Sequence, residues 1–171
     1  MNIPLVREGE ESDLSGISKA TREWVIFITL GGEPVELEVF GFRHGSSRHT
    51  VGFSVNQYLA GADTRFSDLG VLLQLDQYAP LFEQQFATGG LFAVIVIKRF
   101  AWINGELKVT EEHTFSTCYI VKYIQILDYI FLSIRVCQKV EKFIIIDQDG
   151  NNGGSVVSSA STVTGAFSTG T

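Results

Sequence analysis

The chain has little of what marks a small secreted or catalytic domain. Of its 171 residues only two are cysteine, three are proline and one is methionine. Two cysteines are too few for a disulfide framework, so stability has to come from an apolar core, and this length supports one such core in a single domain. Basic residues are also scarce: 13 Lys and Arg against 19 Asp and Glu leave a net charge of −6 and a pI near 5.0. A protein of that sign has no general attraction for nucleic acid or an anionic membrane. The amino terminus, MNIPLVREGEESDLSGIS, has no basic start followed by an apolar run. That predicts synthesis in the cytoplasm and, for a protein that leaves the cell, an exit without a signal peptide.

The motifs of catalysis and cofactor binding are missing as well. There is no Gly-x-x-x-x-Gly-Lys-[Ser/Thr] phosphate loop and no Gly-x-Ser-x-Gly nucleophile elbow. The stretch DQDGNNGGS, Asp147 to Ser155, resembles a calcium loop at first sight. Counted from Asp147, however, the sixth position is Asn152 where an EF-hand needs Gly, and the twelfth is Ser158 where it needs Glu. A turn with Asp and Asn side-chain caps is the simpler expectation. The three histidines, His44, His49 and His113, are read as solvated loop or surface residues, because no Asp or Glu lies between Gly41 and Ala62 and no Cys is near. Glu111 and Glu112 are adjacent, so in a strand their carboxylates point to opposite faces. Cys118 and Cys137 sit in apolar sequence, where a thiolate is disfavoured. No catalytic, cofactor-binding or metal-binding residue is assigned, and the protein is read as not an enzyme.

What the chain does have is apolar residues. They reach 45%, 13 are Phe, and the mean hydropathy is +0.18. That is more than a small monomer readily covers, and points to burial against copies of itself. The segment CYIVKYIQILDYIFLSI (118–134) contains Lys122, Gln125 and Asp128, which a bilayer centre would penalise. Its Ile, Val, Tyr and Phe favour paired strands instead.

Periodicity predicts a mainly β chain. EWVIFITL (23–30), a Gly31-Gly32 turn and PVELEVFGF (34–42) form a first hairpin. Residues 43–68 read as a long loop with one short strand near His49–Val55, and 69–75 as another strand. A single helix is expected at 79–88, with Pro80 in its first turn, Phe82 and Phe86 both buried, and Gly89-Gly90 as its stop. LFAVIVIKRFAWI (91–103) and ELKVTEEHTF (106–115) flank Asn104-Gly105, a strong type I′ hairpin signal. A further strand pair is expected at 114–124 and 129–146. A hairpin turning at Leu127-Asp128 would set Cys118 opposite Cys137, which makes a cross-strand bridge conceivable, although two reduced thiols are the simpler reading. In domain terms this gives an amino-terminal arm (1–22), one mainly β domain (23–150) and a Gly/Ser/Thr-rich tail (151–171), ordered only by a neighbour.

The segment LLQLDQYAPLFEQQFATGG (72–90) resembles the haemolysin-coregulated proteins, the inner-tube proteins of the type VI secretion system, at Asp76, Ala79, Pro80, Leu81 and Phe82. The last strand pair, running into Gln148, Asp149, Gly150, Gly153 and Gly154, is similar to the end of the same family. The amino-terminal strands lack the family's usual Gly-Glu-Ser. The resemblance implies a β-barrel with one flanking helix, assembling into stacked hexameric rings that are expelled when an outer sheath contracts. It implies the chain itself, sheath, and baseplate or spike proteins as partners, effector cargo in a polar lumen, no cofactor, and no nucleic acid unless the tube is that of a phage. The loop Arg43–Asp68 is then the expected ring-stacking contact. A phage tail tube protein and a small β-barrel binding module remain as alternatives.

Overall fold

A computed structural model describes residues 23–48, 64–161 and 167–170. Its elements in chain order are β1 (Trp24–Leu30), β2 (Glu33–Arg48), β3 (Thr64–Gln74), α1 (Ala79–Thr88), β4 (Leu91–Ile103), β5 (Glu106–Ile126), β6 (Tyr129–Ile146), β7 (Asn152–Ser161) and β8 (Phe167–Gly170). All strand pairings are antiparallel, in the order β3-β2-β1-β4-β5-β6-β7-β8. A further pairing of β3 with β6 joins Leu69–Gln74 to Ile134–Tyr129 and closes the first six strands into a barrel. Closure removes the free edges that an open sheet of such apolar strands would present. The resemblance to a β-barrel with one short helix is thus met in the fold.

The long strand β6 makes this possible because it serves two partners along one edge. Its first part pairs with β3, and from Gln138 to Ile146 the same edge pairs with β7. Residues 151–171, expected as a tail outside the barrel, therefore contribute β7 and β8 to the sheet. The neighbour of β7 is β6 of the same chain, and that of β8 is β7. Two further expectations change. Residues 106–115 and 114–124 are one continuous strand, β5, because nothing between them breaks the ladder to β6. Strands β2 and β3 also extend into the expected loop, as far as Arg48 and from Thr64. The short strand near His49–Val55 lies outside the described residues.

Local chemistry accounts for the turns and the helix. Asn104 and Gly105 have φ of 53° and 81°, the pair of positive values a type I′ turn needs. Before α1, Asp76 Oδ1 accepts the Tyr78 N–H at 2.8 Å, so the family-like Asp shapes the entry rather than capping the helix itself. Gly89, at φ 64°, ends α1: its N–H donates to the Phe86 carbonyl and the Gly90 N–H to that of Gln85. Of the two aromatics expected on the inner face, Phe82 is fully buried but Phe86 is 40% exposed. Four residues apart, the two rings lie on one stripe of the helix, but only Phe82 and Ala79 are buried on the barrel, and Phe86, one turn nearer the helix end, stays partly exposed.

The core is a single cluster drawn from the barrel strands and α1, including Ile26, Leu37, Val71, Phe82, Ile97, Phe115, Cys118 and Leu132. Cys118 faces Val136, not Cys137, and no disulfide joins the two cysteines. The reason is a register shift between Ile120 and Lys122, which offsets by one residue the pairing that the Leu127-Asp128 turn begins. Burial, with the nearby Cys137 adding to it, pushes the Cys118 thiol up to about 12, so it behaves as a small apolar residue. No helix among the described residues is long and apolar enough to cross a membrane.

Candidate functional site

Two features stand out on this frame: a polar cluster held inside the sheet and a set of exposed apolar side chains outside it. The cluster is built from three strands. His44 lies on β2, between Arg43 and Gly45, where the pairing with β3 is irregular. Such irregularities re-aim a side chain. His113 on β5 is paired with Glu141 on β6, and Glu111 precedes His113 by two residues, so these side chains share one face. His113 is only 3% exposed and His44 is half-buried. Neither is the solvated loop or surface histidine that the sequence suggested.

The rings are enclosed by aromatics. His44 stacks on Phe42 with centroids 5.7 Å apart, His113 lies 5.4 Å from Phe42 and 6.0 Å from Trp24, and the two imidazoles are 4.9 Å apart. Carboxylates approach from two sides. Glu111 Oε1 is 2.7 Å from His113 Nε2, while Glu141 Oε1 lies 3.2 Å from His44 Nδ1 and 3.8 Å from His113 Nδ1. Neither Nδ1 makes a hydrogen bond, although both are buried. The Lys139 ammonium stands 3.4 Å from the same oxygen of Glu141. A recess of about 600 Å³ reaches the cluster past Trp24, Phe42 and Arg43. Among the described residues this is the one place where three side chains of metal-ligand type converge. Glu112, facing away as the alternation requires, pairs with Lys98 at 3.1 Å.

Burial holds the pKa of His44 below its ordinary 6.5, assisted by His113 and Lys139 and opposed by Glu141 and Glu111. A lowered folded-state pKa means that the unfolded chain binds the proton more readily. The stability that neutral His44 contributes is present above about pH 6.5 and is lost as pH falls below it. The melting temperature in chelator-containing buffer is therefore expected to drop between pH 7 and pH 5, more steeply than in His44→Phe. Equal slopes for the two proteins would show that His44 does not carry this proton linkage.

The loop DQDGNNGGS is a capped turn. Asp147 Oδ1 accepts the Asn151 N–H at 2.7 Å and Asn152 Oδ1 the Gly154 N–H at 2.9 Å. It is also pinned to the β4–β5 hairpin, since Asn104 Nδ2 donates to the Asp149 carbonyl and Lys108 Nζ to that of Gly150. The loop therefore links two sheet regions, with a strand on either side of it.

Outside, Leu91 is 64% exposed and Trp102 57%, and Phe86, Val94, Phe143, Ile145 and Val156 are also exposed. Leu91 and Val94 line a second recess beside the Gly31-Gly32 turn and Gln85 of α1. The sequence suggested an excess of apolar surface but not its position.

No protein-family model and no curated protein matches the chain. Solved structures do. A type six secretion system protein superposes with a TM-score of 0.69 at 16% identity, covering 86% of this chain and all of that one. Hcp1 from E. coli EAEC 042 gives a TM-score of 0.64 at 14% identity, over 83% of this chain and 99% of that one. Hcp1 from Salmonella typhimurium gives 0.59 at 12% identity, over 85% and 99%. The fold is that of the Hcp proteins, as the motifs around Asp76 and Gly150 led one to expect.

Proposed function

We propose that the chain is a subunit of the hollow inner tube of a contractile injection machine. In this reading it self-assembles into hexameric rings, the rings stack, and the tube is assembled in the cytoplasm and expelled by a contracting sheath. The observation that carries it is a closed barrel that still leaves Leu91, Val94 and Phe86 in water beside α1. Apolar side chains left in water beside α1 are best accounted for by a flanking copy. The shared fold with type VI secretion proteins agrees with this reading. No enzymatic step is part of it. Sheath and spike proteins are its partners and effectors its cargo.

Size-exclusion chromatography with negative-stain electron microscopy tests the proposal. Rings or stacked tubes are expected from the purified chain or on co-expression with sheath components, and Leu91→Asp combined with Val94→Asp should reduce them to monomers at least tenfold more readily. A monodisperse monomer at high concentration under both conditions would overturn the reading.

A further inference from the structure

We propose that His44, His113 and Glu141 bind one divalent transition metal of the zinc class, tying β2, β5 and β6 together inside the barrel. The proposal stands apart from the tube reading and needs none of it. Its starting point is the pair of buried Nδ1 atoms without hydrogen-bond partners, both directed toward one oxygen of Glu141. Buried polar nitrogens are rarely left unpaired, and two aimed at one carboxylate call for a cation between them.

The hydrogen-bond roles favour a metal there. A carboxylate can only accept, so with Glu111 Oε1 at 2.7 Å the proton of His113 that faces it sits on Nε2, and Nδ1 is left facing Glu141. This is the carboxylate–histidine arrangement that orients imidazole ligands in metal sites. The spacing is close to what a metal requires. Bonds of about 2.0–2.1 Å in a tetrahedron set ligand atoms roughly 3.3 Å apart. The two distances to Glu141 are 3.2 and 3.8 Å, and no pair of the three ligand atoms exceeds 4.8 Å. Modest rotation of His44 about its side-chain bonds closes the remainder. Two imidazoles and one carboxylate suit zinc or cobalt better than calcium or magnesium, which prefer all-oxygen sites. The recess beside Trp24 and Phe42 supplies an entry path and room for a fourth, solvent ligand.

Lys139 is the competitor, since its ammonium already sits against Glu141 Oε1. It has a place to withdraw to, over the Phe66 ring, from whose centroid it lies 5.6 Å. Removing Lys139 should therefore tighten metal binding, an effect opposite in sign to removing a ligand.

The experiment uses the full chain, stripped with chelator and titrated with zinc chloride and, separately, cobalt chloride. One metal per chain is expected, with cobalt giving the intense visible bands of a four-coordinate site. Zinc at about a hundredfold above its Kd should raise the melting temperature by roughly 5–10 °C. Glu141→Gln and His44→Phe should each weaken zinc at least a hundredfold, whereas Lys139→Met should strengthen it. Absence of saturable binding by the wild-type chain overturns the proposal whether or not the variants fold. Stoichiometric binding that both ligand variants leave unchanged overturns it too, by placing the metal elsewhere.

Discussion

Phe82→Asp is expected to leave no folded protein, whereas Phe86→Asp, four residues further along the same helix, is expected to fold normally and to lose self-association. Phe82 is fully buried between α1 and the barrel core. Truncating such a ring costs about 3–5 kcal/mol, and an unpaired carboxylate in its place adds several more. Against a total stability of about 5–15 kcal/mol, that is enough to unfold a domain of this size. Phe86 is 40% exposed, and an exposed substitution usually changes stability by about 0.5 kcal/mol or less. Circular dichroism and thermal melting read the first effect, and chromatography with electron microscopy the second. A folded Phe82→Asp protein would mean that α1 does not seat on the barrel through Phe82. Normal assembly by Phe86→Asp would exclude Phe86 from the subunit contact.

Shortening the chain to residues 1–150 is expected to lower the melting temperature by roughly 10 °C and to cause concentration-dependent aggregation. The figure corresponds to about 3 kcal/mol at 2–4 °C per kcal/mol for a chain of this length. The cause is the edge of β6 from Gln138 to Ile146, which β7 pairs along its length. Without β7 that edge presents unpaired N–H and C=O groups next to Phe143 and Ile145, already exposed, which is a template for pairing with other chains. Ending the chain at Ser161 instead keeps β7, and its melting point should stay within about 3 °C of the full chain. Equal melting of the 1–150 and full-length chains would show that β7 contributes nothing to the domain.

The contrast between these two regions shows what could be read in advance. Around α1 the signals are local: Pro80 pre-sets the first turn, Gly89 tolerates φ 64°, and Leu81 and Phe82 supply the apolar face, so type and limits were predictable. The Asn104-Gly105 turn belongs to the same class. At β7 the local signals misled, because Asn, Gly and Ser with little charge read as a flexible tail, yet the ladder of β6 supplies their partners. Phe86 failed for a related reason. A helix of ten residues has several apolar positions, and which of them faces inward depends on where the barrel sits.

The histidine cluster was the least legible feature. His44 and His113 are far apart in sequence, without the short spacing by which a metal or catalytic motif announces itself. One faint sign was present: Glu111, His113 and Phe115 alternate along a strand, and the burial of Phe115 on that face carries His113 inward with it.

The cysteines show how finely register matters. A single shift between Ile120 and Lys122 turns Cys118 from a partner of Cys137 into a partner of Val136.

By itself the sequence determined the β-rich class, the one helix and its stop, the tight turn at Asn104-Gly105 and the apolar excess, because each follows from backbone preferences acting within a few residues. Closure of β3 onto β6, the recruitment of β7, the exposure of Phe86 and the meeting of His44, His113 and Glu141 were decided only by tertiary structure. Each depends on register between strands distant in the chain, and register is settled by how the whole barrel packs.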